Sequence, residues 1–325
     1  MATADQLRAL IESHGEGDDD RFYSVALQVA AQAARSGHGR IARELRDLVD
    51  QHKVNRGTPG GRPVPLAQPR GELAGLLTVT YPKVRLDSMA LDEATRGRLY
   101  RVVREQVARG QLREHGFAPQ RRLLLVGPPG TGKTMTASAL AGELALPLFT
   151  VLFDGLISKF LGETAAKLRM VFEAVTQVRG VYLFDEFDAL GGERSAANDV
   201  GEIRRVLNAF LQFLEQDHSD SVIVAATNHP DLLDRALFRR FDVLIPYALP
   251  DGVVAERIMR ARLSSLDAHA VDWSSARRAA AGLSHAEITR ACEDAAKQAI
   301  LDGSASVSGE ALVTALDQSR AARGG

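Results

Sequence analysis

Gly127-Pro-Pro-Gly-Thr-Gly-Lys-Thr134 is the stretch on which the reading of this chain turns. It fits G-x-x-x-x-G-K-[ST], a loop that wraps the phosphates of a nucleoside triphosphate when a strand leads into it and a helix leaves it. Residues 121–126 end in four apolar side chains, as a buried parallel strand would, and residues 134–145 are rich in helix formers and run up to Pro147. Gly127, Gly130 and Gly132 can take backbone angles closed to other residues, so successive N–H groups can converge on an anion. The following helix adds unpaired donors and the positive end of its dipole. Lys133 supplies a point charge for the β- and γ-phosphates, and the Thr134 hydroxyl can ligate Mg²⁺. The nucleotide-binding set is therefore Gly127, Pro128, Pro129, Gly130, Thr131, Gly132, Lys133, Thr134 and Met135. A Gly/Pro-rich turn that fits the pattern by chance is the competing explanation, and the flanking strand and helix count against it.

Around this loop the sequence alternates. Strands are expected at 148–153, 180–184, 221–226 and 243–245, and helices at 91–115, 163–178 and 200–215. In the first of these helices Leu99, Val102, Val103 and Val107 stand at core spacing. Strand–helix alternation implies an α/β fold, a parallel sheet covered on both faces. After Pro250-Asp251 the strands stop, and 251–322 reads as three or four helices. On the other side, residues 4–13, 21–35 and 40–52 have helical spacing and make a small module, 1–53. Four prolines and four glycines in 55–71 mark a linker. The expected organisation is thus a helical module (1–53), a linker (54–71), an α/β nucleotide-binding domain (72–250) and a helical lid (251–325). The N-terminal module is either a structural helix pair or a dedicated binding domain.

Composition narrows the function classes. The 325 residues are 45% apolar and 25% charged, with 40 basic against 41 acidic side chains. Without a global basic field, nucleic acid is disfavoured as the main partner. The lone cysteine, Cys292, rules out an intrachain disulfide and a cysteine-based zinc site, and reads as a small buried hydrophobe. No leader pattern opens the sequence and no apolar run is long enough to span a membrane, so a reducing cytoplasmic setting is expected.

Two strand ends carry the remaining chemistry. Val181-Tyr-Leu-Phe-Asp185-Glu186 is an apolar strand ending in two carboxylates. A strand adjacent to the phosphate loop would bring Asp185 to Mg²⁺ and leave Glu186 to orient and deprotonate the attacking water. Val222-Ile-Val-Ala-Ala-Thr-Asn228 is a second buried strand, whose terminal amide can hold that water or touch the γ-phosphate. Ligands of open α/β sheets bind beyond the carboxyl ends of the strands, where all of these groups would meet.

With these motifs in order, the chain resembles an AAA+ ATPase, of the AAA subfamily that unfolds or remodels proteins. Gly127–Thr134 matches Walker A, Phe184-Asp185-Glu186 ends Walker B, and Asn228 matches sensor 1. The similarity covers about residues 86–300. It implies a Mg-dependent ATPase working as a homo-oligomeric ring, usually a hexamer, with its ATP site between subunits. Leu233–Asp242 resembles the arginine-finger segment, so Arg239 and Arg240 would reach the γ-phosphate bound by a neighbour; a surface ion pair is the alternative for either. Ser158-Lys159-Phe160-Leu161-Gly162-Glu163 matches the pore-loop pattern, closest to the katanin and spastin branch, with Lys159, Phe160 and Leu161 facing a central channel. Residues 194–201 take the place of a second pore loop. Gly282-Leu-Ser-His-Ala286-Glu-Ile288 lies where the family carries Ser-Gly-Ala-Asp: His285 replaces Gly and Glu287 replaces Asp, while Ala286 stays near the nucleotide. The residues around Ser88–Leu91 would border the adenine.

The implied function is an ATP-driven protein unfoldase or remodeller acting on a protein substrate, with the 1–53 module choosing substrate or adaptor. A ring feeding a separately encoded protease is a close variant, because none of the eight histidines is followed by Glu and H-E-x-x-H is absent. A nucleic-acid motor and a non-hydrolysing scaffold are the other classes; neutral charge opposes the first, and the Lys133, Asp185, Glu186 and Asn228 set opposes the second.

Overall fold

The computed structural model describes residues 68–156, 161–190, 199–232 and 235–322, together with the helical pair Val29–Ala30. The chain divides into two units, Met1–Pro63 and Val64–Gly325. The helices expected at 4–13 and 40–52, most of the one at 21–35, and linker positions up to 67 lie outside the described residues. Gly71, the last residue assigned to the linker, opens a 3-10 turn, Gly71–Gly75.

The second unit is built on a six-stranded sheet: β1 (Leu77–Thr80), β2 (Arg122–Val126), β3 (Leu148–Val151), β4 (Val181–Phe184), β5 (Val222–Thr227) and β6 (Val243–Pro246). Its spatial order is β1-β3-β4-β5-β2-β6. Five strands run parallel, and β1 closes one edge antiparallel to β3, with Leu77 opposite Val151 and Thr80 opposite Leu148. Helices α1 (Glu93–Val107), α2 (Lys133–Leu144), α3 (Leu161–Gln177) and α4 (Asp199–Gln216) cover it. The α/β class read from the alternation is the observed one.

Successive strand residues point to opposite faces, and the sequence uses this period of two to build two cores. Leu124, Tyr182, Phe184, Ile223 and Ala225 face α3 and α4, where Phe172, Phe210 and Leu214 receive them. Leu123, Leu125, Leu183, Val224 and Ala226 face the other way, onto Leu99 and Val102 of α1 and Ala137, Leu140 and Ala141 of α2. The small alanines let α2 lie close to the sheet.

The pattern 91–115 is two helices, because the chain leaves α-helical geometry at Ala108 before a short helix, Arg109–Glu114. Val107, expected in the core, is 46% exposed. Gln106 is buried in its stead, and its side-chain amide donates to the Gln120 carbonyl at 2.9 Å, which ties the helix end to the chain entering β2.

Beyond β6 come α5 (Gly252–Arg262), α6 (Trp273–Ala280), α7 (His285–Leu301) and α8 (Gly309–Ala321). Each starts on a side-chain cap, Asp251, Asp272, Ser284 or Ser308, that accepts an otherwise orphaned first-turn N–H. Their apolar faces share a separate core of small and aliphatic residues, including Ala276, Ile288, Cys292 and Leu312. Burial pushes the Cys292 thiol up to about 12, so it sits there as an inert apolar group.

Candidate active site

The phosphate loop leaves the end of β2 and runs into α2. Gly127, Gly130 and Gly132 have φ of +148°, +74° and +99°. A side chain at Gly130 would collide with Ser284 Oγ at 2.7 Å, so the start of α7 lies directly against the loop. The backbone N–H of Ala286 donates to the Gly130 carbonyl at 3.0 Å. On the opposite flank, Met89 packs over Gly132. The loop is thus walled by the 3-10 turn Leu86–Ser88 with its following residues on one side and by the lid on the other.

Lys133 is buried, and its ammonium donates to the carbonyls of Gly127 and Pro128, both at 2.7 Å. Burial lowers its pKa below the ordinary lysine value, and the carboxylates of Asp185 and Asp188 oppose that shift. Thr134 is exposed at the loop's exit, and its hydroxyl donates to Asp185 Oδ2 at 2.5 Å. Glu186 follows with φ +51° and an exposed side chain. That left-handed backbone costs about 1–2 kcal/mol for a residue with a Cβ. Phe187, fully buried against Phe210, anchors the turn that imposes it.

One expectation is corrected here. The strand carrying Asp185 is not adjacent to the strand of the phosphate loop; β5 stands between them. The order of parallel strands is set by crossovers and leaves no mark on the local pattern. Asp185 nonetheless reaches Thr134 because both residues overhang the carboxyl ends of the sheet. The strand beside β2 is β5, with Val126 opposite Thr227, and Gly127 N–H donates to the Thr227 carbonyl at 3.2 Å. Half-buried Asn228 therefore stands next to the loop.

Arg239 and Arg240 lie elsewhere. They precede β6 at the level of Asp242, whose carboxylate accepts the Arg121 and Arg122 backbone N–H groups at the start of β2. The phosphate loop is at the far end of β2, roughly 15 Å along the strand direction. Arg240 is ion-paired with Glu215 at the end of α4, while Arg239 is exposed with no ion-pair partner among the described residues. Lys159 and Phe160 lie outside the described residues, and Leu161 opens α3. Of the second pore-loop segment, 199–201 are the first residues of α4 instead of loop, and the rest lies outside the described residues.

Two contributors escaped sequence reasoning. Asp188 sits in the 3-10 turn Phe187–Leu190 and accepts from Thr227 Oγ1 and from the Asn228 backbone N–H. Tyr247, the residue after β6, braces the loop: its N–H donates to the Val126 carbonyl, and its hydroxyl pairs with that of Thr136 on α2. The signal for Asp188 lay in the sequence, a third carboxylate in Asp185-Glu-Phe-Asp188. Tyr247 had none, since its partners are remote in sequence.

Residues 123–249 match the family described as "ATPase family associated with various cellular activities (AAA)". An uncharacterised AAA family ATPase, y4kL, of Sinorhizobium fredii is 33% identical over 304 residues, which covers 93% of this chain and 91% of the relative. The chain belongs to the AAA family of ATPases.

ATP is the substrate of this AAA ATPase and Mg²⁺ its cofactor. The site's donors fit both: a buried ammonium bonded within the described residues to the loop's own carbonyls, and a hydroxyl–carboxylate pair, Thr134 and Asp185, of the hard oxygen type that Mg²⁺ takes. Bound there, the metal would neutralise phosphate charge. The chain is also 36% identical over 212 residues to the ATP-dependent zinc metalloprotease FtsH of Lancefieldella parvula, and 32% over 268 residues to FtsH 2 of Bdellovibrio bacteriovorus. These alignments cover 63% and 77% of this chain but only 33% and 44% of the relatives, so it spans less than half of their length. Among the described residues, no helix is long and apolar enough to cross a membrane.

In the lid, Glu287 is a capping-box residue: its carboxylate accepts the Ser284 N–H at 2.6 Å, and the Ser284 hydroxyl accepts the Glu287 N–H at 3.3 Å. His285 Nε2 lies 3.1 Å from the Ala90 carbonyl, bridging lid and core, and burial holds its pKa below the usual imidazole value.

Proposed function

We propose that this AAA ATPase works as a homo-oligomeric ring, a hexamer, that unfolds or remodels protein substrates by threading them through a central pore. Within one subunit, Lys133 and the loop amides hold the phosphates, Thr134 and Asp185 hold Mg²⁺, Glu186 activates the water and Asn228 orients it. Arg239 completes the site from the neighbouring subunit, and Lys159, Phe160 and Leu161 grip the polypeptide. The 1–53 module selects substrate or adaptor.

The observation that carries this reading is the placement of Arg239. An exposed guanidinium at the amino ends of the strands cannot serve the phosphate loop of its own subunit, but it is free for an adjacent one. Arg240, engaged with Glu215, is left a structural part. Protein as the cargo is supported by the likeness to relatives named ATP-dependent proteases and by the Lys159-Phe160-Leu161 pattern.

Three variants and a stimulation assay test it. Glu186→Gln should retain ATP binding and lose about 10²-fold or more of turnover, forming with ATP a complex that captures unfolded protein. Arg239→Ala should abolish hydrolysis, yet regain part of it when mixed with Lys133→Ala subunits, whose own site is dead but whose Arg239 can complete the intact site of an Arg239→Ala neighbour. Arg240→Ala should leave most activity. ATPase stimulated by DNA and indifferent to an unfolded protein such as casein would refute the protein-directed reading. A second reading, supported by the same relatives' names, is that the ring feeds a separately encoded protease; casein degradation would then need a second protein.

A further inference from the structure

We propose that Asp188 is a positioning residue for hydrolysis, fixing the end of β5 so that Asn228 stands in register with the phosphate loop. This rests on the reading of Asn228 given above. Asp188 follows the buried anchor Phe187. Its Oδ1 accepts from the Thr227 hydroxyl at 2.9 Å and from the Asn228 N–H at 3.2 Å. The Thr227 hydroxyl in turn accepts the His229 N–H at 3.0 Å. From the other side, the Thr227 carbonyl takes the Gly127 N–H at 3.2 Å. One residue, Thr227, is thus held by the first residue of the phosphate loop and by the turn that carries Asp185 and Glu186.

The consequence is mechanical. Glu186 and Asn228 sit at the ends of neighbouring strands, and the sheet's own hydrogen bonds stop before either: the β4–β5 register runs only to Phe184 opposite Ala225. Beyond that pair, the Asp188 carboxylate spans the gap between the two strand ends. A group that must place a water against a phosphate is sensitive to displacements of about 1 Å. Without the carboxylate, Asn228 N–H loses its partner, and the strand end is held on the β2 side alone, by the Gly127 N–H on the Thr227 carbonyl. Asp188 needs no contact with ATP or Mg²⁺ for this. A carboxylate that merely ended the strand would change stability and leave the division between binding and turnover untouched.

The test uses the full chain with Asp188→Ala, Asp188→Asn, Asn228→Ala and the Asp188→Ala/Asn228→Ala pair. Asn keeps an oxygen acceptor at the Oδ1 position and loses only the charge. Asp188→Ala should lower kcat by about 10- to 100-fold while affinity for a fluorescent ATP analogue stays within about threefold. Asp188→Asn should recover most of that turnover. The double variant should be no slower than Asn228→Ala alone, since the two residues act as one unit. In nucleotide-free protein, hydrogen exchange of the Asn228 amide should accelerate in Asp188→Ala and stay near parental in Asp188→Asn. Losses that multiply in the double variant, or an Asp188→Ala loss confined to nucleotide affinity, would overturn the proposal. If Asn228→Ala itself keeps full kcat, the assignment of Asn228 fails and takes the proposal with it; if only Asp188→Ala keeps full kcat, the proposal alone fails. Should Asp188→Ala not fold, Thr227→Val removes the hydroxyl donor while leaving the carboxylate. It should shift kcat and Asn228 exchange in the same direction, and unchanged values would overturn the proposal.

Discussion

Replacing Gly127 with alanine tests how tightly the phosphate loop is wedged against the sheet. The added Cβ would lie 2.1 Å from the Tyr247 carbonyl oxygen and 2.9 Å from its carbonyl carbon and its Cβ. Carbon–oxygen contacts are seldom closer than about 3.3 Å, so the chain after β6 must retreat by about 1 Å. It cannot do so freely, because the Tyr247 N–H is bonded to Val126 at 2.7 Å and its hydroxyl to Thr136. Overpacking of this kind costs about 1–3 kcal/mol, loss of the Tyr247 amide bond adds about 1 kcal/mol, and a side chain at the Gly127 φ of +148° adds about 1–2 kcal/mol. At about 2–4 °C per kcal/mol for a unit of this size, the melting temperature should fall by about 6–24 °C. A nucleotide-free thermal melt followed by circular dichroism reads this directly. Gly116→Ala is the control: its φ is +79°, yet nothing lies within 4 Å of the new Cβ. It should cost no more than about 1–2 kcal/mol, the penalty of the backbone angle alone. If Gly127→Ala melts within about 2 °C of the parent, the close approach of Tyr247 does not constrain the loop and the reasoning fails.

Two further variants test the geometry. Lys133→Met should abolish ATP-induced stabilisation without lowering the nucleotide-free melting temperature, since a charge held in a buried site is removed. Because the folded pKa of Lys133 lies below its unfolded value, the unfolded chain binds more protons between those two values. The parent should therefore gain stability on Lys133→Met as pH rises through that window toward 10.5, and a difference flat with pH would refute it. Phe210→Ala empties the junction of Phe172, Phe184 and Phe187 and should cost about 3–5 kcal/mol, measured by urea denaturation; a loss below about 1 kcal/mol would show that the aromatic cluster collapses to fill the space.

What was legible in the sequence was what is local. Leu123–Val126, the glycines and Ala-rich 134–145 announce strand, loop and helix within some twenty residues, and the structure places them so. The β1 edge went unread: Leu77-Thr-Val-Thr80 is four residues with a weak alternation, and it exists as a strand only because β3 offers it a partner. The place of β5 between β4 and β2 is a matter of topology that no window reveals. Val107 was misjudged because periodicity assigns a face to a residue without saying where the helix ends. Asp188 and Tyr247 act through the Asn228 amide, Thr227 and Thr136, contacts that exist only once strands distant in sequence have been brought together.

The lid meets the phosphate loop through main-chain atoms, Ala286 N–H to the Gly130 carbonyl, with Ser284 and Glu287 occupied in capping their own helix. A joint made of peptide groups has no preferred side chain on its lid half. A substitution at position 285 or 287 therefore leaves the Ala286–Gly130 joint in place, while His285 adds a separate tether from its Nε2 to the Ala90 carbonyl at 3.1 Å. Glu287 then sets how firmly the first turn of α7 is wound and His285 how firmly it is tied to the chain at Ala90, so the two positions bear on the stiffness of a joint that neither of them forms.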